Sequence, residues 1–232
     1  MNATYCGPPP DPGEIATSFN LDPALIALLL ALGVALRHRR AGLAAVAVLA
    51  IAFISPLCAL SSALFSARIV HHVLLVAVAA PLLALAFPAR RTGGLALPFA
   101  ISTVTLWAWH LPDAYDLAFT NVAVYWAMQL SLIGSAAIFW RAVFADGRSP
   151  VDQFLFVVAA FAQMGMLGAI LTFAPQPLYA AHALAPFDWG LTPLEDQVLG
   201  GLIMWVPAGI PYAVVAALIA RRGWARLPGV AA

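Results

Sequence analysis

The sequence predicts an all-α, polytopic bundle of membrane-spanning helices, on three observations. The chain has 232 residues, of which 63% are hydrophobic and only 9% charged, and its mean hydropathy is +0.93. A soluble domain of this length needs a polar exterior that such a composition cannot supply. The apolar residues fall in repeated runs close to the ~20 residues a helix needs to cross a bilayer, not in the short alternating segments of a membrane β-barrel. Arginines and carboxylates segregate to alternate connections between those runs, which orients them. A net charge of +1 argues against a nucleic-acid partner. Nothing reads as a separate soluble domain, a low-complexity tract or a strong internal repeat.

Taken in order, the runs place seven transmembrane helices at 23–36, 42–60, 69–87, 95–111, 122–140, 153–173 and 197–220. Arg37, Arg39 and Arg40, Arg90 and Arg91, Arg141 and Arg148, and Arg221, Arg222 and Arg226 fall on one side. Lysine is absent, and Arg68 is the one arginine on the other side. By the positive-inside rule the arginine-rich face is cytoplasmic. The opposite face carries Asp11, Glu14, Asp22, Asp113, Asp116, Asp188, Glu195 and Asp196. The expected order is therefore an outer tail over 1–22, a transmembrane domain over 23–220 and a cytoplasmic tail over 221–232, N-terminus outside and C-terminus inside. No basic region precedes an apolar core at the N-terminus, so no signal peptide is read there.

The first run is the shortest, but Asp22-Pro23 makes a good helix start, and Arg37 can extend its reach by snorkelling. If that run only lies on the surface, six spans remain and the acidic tail moves inside. Cys6 in the tail and Cys58 near the outer end of the second run depend on this choice. With seven spans they share an oxidising face, where a disulfide, metal ligation and free thiols all stay open. With six spans the membrane separates them. Further along, Pro112 ends the fourth run, while Pro207 and Pro211 kink or break the seventh.

Four of the five histidines gather at the outer face, and histidine is rare enough in a membrane that such a gathering is a functional-site hypothesis. His71 and His72 are adjacent, so on a helix they point ~100° apart. Arg68, one turn before His72, shares its face and either reaches lipid phosphates or orients an anionic group. His110 lies at the outer end of its run, at the expected depth of His72 on a neighbouring antiparallel helix. His182 lies in an outer loop. Asp196, Gly200 and Met204 recur at i, i+4 and i+8, one stripe of the last helix. Tyr125 and Gln129 share a face, for which interhelical hydrogen bonding is a simple explanation. Histidine with methionine suits copper, zinc prefers histidine with carboxylate, and His72 and His110 keep haem open. No nucleophile elbow, P-loop or dinucleotide fingerprint occurs, so no enzyme is expected.

Several stretches resemble one family. They are Ser66-Ala-Arg-Ile-Val-His-His72 followed by Pro81-Leu-Leu, Trp109-His-Leu-Pro with Tyr115-Asp116, Phe139-Trp140, Ala174-Pro-Gln-Pro-Leu-Tyr179, and Asp196-Gln197 with Gly201-Leu-Ile-Met-Trp-Val-Pro207. From about Ser66 to Pro211 the chain resembles the seven-helix, CtaG-like cytochrome c oxidase assembly factors. The resemblance implies a multi-pass protein of the bacterial cytoplasmic membrane, with its outer tail in the periplasm. It implies a role in maturing a haem–copper oxidase, with oxidase subunits, the bilayer and periplasmic copper chaperones as partners. The expected metal site takes His72, His110, Asp196, Met204 and His71, with copper as the metal and His182 as an auxiliary relay. The family commonly carries histidine where Arg68, Tyr125 and Gln129 stand, so the resemblance implies a divergent member with a reduced or relocated site, or one that has lost metal binding. A metal-free scaffold docking on oxidase subunits is the alternative, and a copper or small-solute transporter the second.

Overall fold

The structure is a computed structural model that describes residues 4–89 and 93–225. Arg90, Arg91 and Arg226, three of the arginines used to orient the chain, lie outside the described residues, as do the ends of both tails. No strand occurs among the described residues, and every predicted run is helical. The helices are α1 (Pro23–Ala35), α2 (Arg40–Phe53), α3 (Pro56–Ala63), α4 (Phe65–Ala86), α5 (Ala96–Ala108), α6 (Pro112–Thr120), α7 (Val122–Val143), α8 (Pro150–Phe173), α9 (Pro193–Trp205) and α10 (Gly209–Trp224).

Four stretches are long and apolar enough to cross a membrane: α4, α7, α8 and the combined α9–α10 run of 32 residues. A fifth is reached if α2 and α3, bent by 47°, count as one span. This makes the chain a helical membrane protein. α1 and α5 have 13 residues each, only about 20 Å of helix against a hydrocarbon core of about 30 Å.

Local chemistry accounts for the boundaries. Asp22 caps α1, accepting from the Ala24 amide at 2.8 Å, and Tyr5 donates to its other oxygen at 2.6 Å. The Tyr5 hydroxyl and the Ala24 amide hold the Asp22 carboxyl below its usual range. α1 then runs from the tail to the Arg39 end, antiparallel to α2. The expected second span over 42–60 is divided, because Pro56 has no amide to continue α2 and Ser55 caps the new start. The third span begins earlier than the expected residue 69. The Asp196 carboxylate accepts from the Phe65 and Ser66 amides at 2.6 and 3.1 Å and from the Ser66 hydroxyl at 2.5 Å. Those bonds cap α4 at Phe65, so Arg68 falls inside the first turn.

α4 is the central helix. Its most apolar stretch is 61% buried, against 33–39% in the other long spans, and it packs on α2, α3, α7 and α9. Gly200 lets α9 approach it, since a Cβ there would stand 2.6 Å from the Phe65 ring. Half-way along, over Leu74–Ala79, α4 widens into a π-turn. There the Ala80 amide bonds to the Leu75 carbonyl. The Val76 carbonyl would need the amide of residue 81, but Pro81 has none. Trp140 of α7 fills the gap, donating its indole N–H to Val76 O at 3.0 Å.

Candidate functional site

The histidine end of the bundle is closed by α6, the 174–192 connection and the N-terminal tail. Asp116 of α6 accepts from the Ala180 and Ala181 amides, both at 3.1 Å. Gln197 of α9 accepts from the Leu178 amide at 2.7 Å and donates to Leu171 O at 3.2 Å. Tyr179 donates to His110 O at 3.0 Å. Beneath this clamp the rings of Phe65 and Tyr179 stack at 4.5 Å, with Tyr115 against Tyr179 at 4.4 Å. The tail is fixed by a disulfide between Cys6 and Cys58, which decides among the three states the sequence left open. The disulfide seats Tyr5 on the Tyr125 ring at 5.2 Å and edge-on to Trp126 at 4.7 Å.

Inside the closure, three histidines meet. The His72 and His110 rings are 6.1 Å apart and nearly perpendicular, and His71 and His72 are 5.8 Å apart. His71 turns toward Phe53 of α2, edge-on at 4.8 Å, as the 100° offset between neighbours requires. All three are buried. His110 donates Nδ1–H to Leu106 O at 2.7 Å, which leaves a lone pair on Nε2. That Nε2, and both ring nitrogens of His71 and His72, have no hydrogen-bond partner.

Arg68 is the most unusual residue here. It is fully buried, so the lipid-phosphate alternative is wrong: Phe119 of α6 and Tyr125 of α7 cover its guanidinium. Its guanidinium lies 4.6 Å from the Phe119 ring centre and 5.3 Å from that of Tyr125. None of its three nitrogens meets a hydrogen-bond acceptor. Gln129, one turn below Tyr125 on α7, is equally buried, and both its amide atoms lack partners, so interhelical hydrogen bonding does not account for it.

The other expected site residues are placed differently. Asp196 gives both oxygens to the start of α4. Met204 is buried at the α8–α9 crossing, where its Cβ would lie 3.2 Å from a Cβ added at Gly168. Among the described residues, no group of three or more His, Cys, Asp or Glu side chains could hold a metal ion, so Asp196 does not complete a set with His72 and His110. His182 is fully engaged: Nδ1 donates to Ala63 O at 3.1 Å and Nε2 accepts from the Tyr115 hydroxyl at 2.8 Å. Burial pushes its pKa down to about 3, which keeps it neutral.

Compared with known families, residues 35–97 and 95–226 match the cytochrome c oxidase caa3 assembly factor (Caa3_CtaG) family. The chain belongs to that family. No curated protein and no solved structure matches it. In this Caa3_CtaG chain the match takes in α2 to α10 and the whole histidine cluster, whereas Tyr5, Cys6 and most of α1 precede it. Several of the family-like stretches prove to be scaffold: Asp116, Tyr179 and Gln197 clamp the closure, Asp196 caps α4, and Trp140 mends the π-turn. Sequence reasoning missed the clamps because each joins a side chain to a backbone amide far along the chain. It missed the isolation of Gln129 because an amide on a helix face does not reveal whether a partner stands opposite.

Proposed function

We propose that this Caa3_CtaG family member helps mature a haem–copper oxidase of a bacterial cytoplasmic membrane by holding copper transiently between His72 and His110, at the periplasmic face. The supporting observation is the buried His72–His110 pair, whose rings are 6.1 Å apart and which has three nitrogens without partners. Two imidazoles at that separation can share one ion through bonds of about 2 Å each. The Leu106 carbonyl fixes the His110 tautomer that leaves Nε2 available, the support a metal-binding histidine usually has. A two-histidine site suits copper better than zinc, which takes four ligands in its structural sites. Asp196 then acts through α4, by fixing where the helix starts and hence where His72 stands. A disulfide in the tail fits a periplasmic face, as does the arginine bias of the opposite end.

The direct test is metal analysis of the purified full-length chain after loading with monovalent copper under reducing, anaerobic conditions. The expected result is one copper per chain, lost in the double variant His72→Ala, His110→Ala. A wild-type chain that retains no copper would overturn the reading.

Metal-free docking on oxidase subunits predicts instead that oxidase binding survives the double variant. Transport is disfavoured by the interior. The pocket beyond the histidines, where Ser102, Thr103, Ser135 and Gln163 stand among mostly apolar and aromatic side chains, has only about 20 Å³, room for about one water molecule.

A further inference from the structure

A guanidinium stays protonated in a protein. Burying that charge without a partner is strongly unfavourable even after relaxation, and in native structures buried polar groups are nearly always satisfied. Arg68 breaks both expectations. It is 0% exposed, its three nitrogens have no acceptor, and no carboxylate among the described residues hydrogen-bonds to it. Asp196, the carboxylate bonded to its own helix, is committed to the Phe65 and Ser66 amides and the Ser66 hydroxyl. The two aromatic faces over Arg68 offset part of the charge but supply no acceptor.

Other unmet groups surround this cation. The charge of Arg68 reaches His71 and His72, whose four ring nitrogens have no partner. The Tyr125 hydroxyl lies near enough to Arg68 and Gln129 to interact with both, but neither side chain reaches it with the distance and angle of a hydrogen bond, so the Gln129 amide N–H₂ stays unmet. On this side of the cluster the unused groups are mostly donors or groups able to become donors, and the fixed charge is positive.

We propose that Arg68, His71, His72 and Gln129 bind a single monovalent anion, a halide or a small carboxylate, that neutralises Arg68 inside the membrane. Arg68 supplies the charge, Gln129 an amide donor, and each imidazole one N–H in the appropriate tautomer. This site shares His72 with the His72–His110 pair, through the other ring nitrogen, and stands whether or not copper binds. Where copper does bind, the anion removes the repulsion that Arg68 would exert on it.

The test uses the full-length chain in detergent, stripped of metal with a chelator and exchanged into a bulky sulfonate salt. Thermal unfolding, followed by tryptophan fluorescence, is titrated with chloride in one arm and formate in the other at constant ionic strength. A saturable rise in midpoint of roughly 3–5 °C is expected in at least one arm, and the arm that responds identifies halide or carboxylate. Arg68→Met should abolish the rise and Gln129→Leu should weaken the apparent affinity at least fivefold, while His110→Ala should leave the response in place. No saturable rise in either arm of the wild type would overturn the proposal, even if Arg68→Met fails to fold. So would an undiminished rise in Arg68→Met. A chain that takes up no copper yet shows the anion response would sink the copper reading and leave this one standing.

Discussion

At one end of the bundle three arginines donate to backbone carbonyls: Arg39 to Ala86, Arg141 to Phe87 at 2.8 Å and Arg148 to Ala142 at 2.7 Å. At the other end Arg68 donates to nothing. The first arrangement is how a helical membrane protein ordinarily ends. The last carbonyls of α4 and α7 have no intrahelical donor, and cations near helix C-termini satisfy them and complement the dipole. The second arrangement has no such explanation. The histidine end has ample capacity to satisfy polar groups, as Asp116, Tyr179, His182, Asp196 and Gln197 show. Among the described residues, the buried side-chain groups left unmet are those of Arg68, the three clustered histidines, Gln129 and two indole nitrogens, those of Trp107 and Trp189. Apart from the two indoles, the unmet groups fall in one cluster, and that concentration is what the copper and anion proposals draw on.

This contrast predicts that scaffold residues carry stability and cluster residues do not. The largest effect is expected for Asp196→Ala, which strands the Phe65 and Ser66 amides in a buried position. Losing charge-assisted bonds of this kind should cost about 3 kcal/mol, read by unfolding in detergent. A stable Asp196→Ala chain would move Asp196 from scaffold to site. Trp140→Phe should cost about 1–2 kcal/mol, because the Val76 carbonyl then has no donor. Amide exchange along Leu74–Ala79 would rise with it.

A third prediction concerns pH. Burial holds His182 at about 3, against about 6.5 in an unfolded chain. Its contribution is complete above about pH 6.5. It is lost as pH falls toward 3, because the unfolded chain takes up a proton that the folded chain refuses. The slope is at most about 1.4 kcal/mol per pH unit, and His182→Gln should be less steep than the wild type by that one proton. Identical slopes would contradict the buried, neutral assignment. The smallest effects should come from Gln129→Leu in salt-free buffer and from Arg141→Met. The first removes an unsatisfied buried amide and should be neutral or stabilising. The second removes an exposed contact and should cost under about 1 kcal/mol. A marked loss in Gln129→Leu would mean that its amide has a partner in the folded chain.

The sequence already carried much of this. Seven apolar runs are helical because their lengths and the prolines and caps at their ends leave little choice. The depth match between His72 and His110 was legible from the run ends, but the expected pairing of their helices was not borne out: α5 packs on α7 and α8, and the two rings meet only at its outer end. What was not legible depended on contacts between distant parts of the chain. The division at Ser55-Pro56 was written in the sequence but obscured by the apolar residues on both sides. The early start of α4 was hidden, because Asp196, the residue that caps it, lies 130 positions from Ser66. That contact makes Asp196 a helix cap instead of a candidate ligand. Arg68, expected at the interface, is buried under Phe119 and Tyr125.

The claim that the His72–His110 pair serves oxidase assembly is tested most directly in cells that depend on this chain to mature their oxidase. Oxidase activity and its copper content would be measured in membranes carrying the wild type or the double variant His72→Ala, His110→Ala, with equal amounts of the chain confirmed in both. The account predicts that the variant accumulates normally while copper-loaded, active oxidase falls at least tenfold. Full oxidase activity at normal levels of the variant would contradict it.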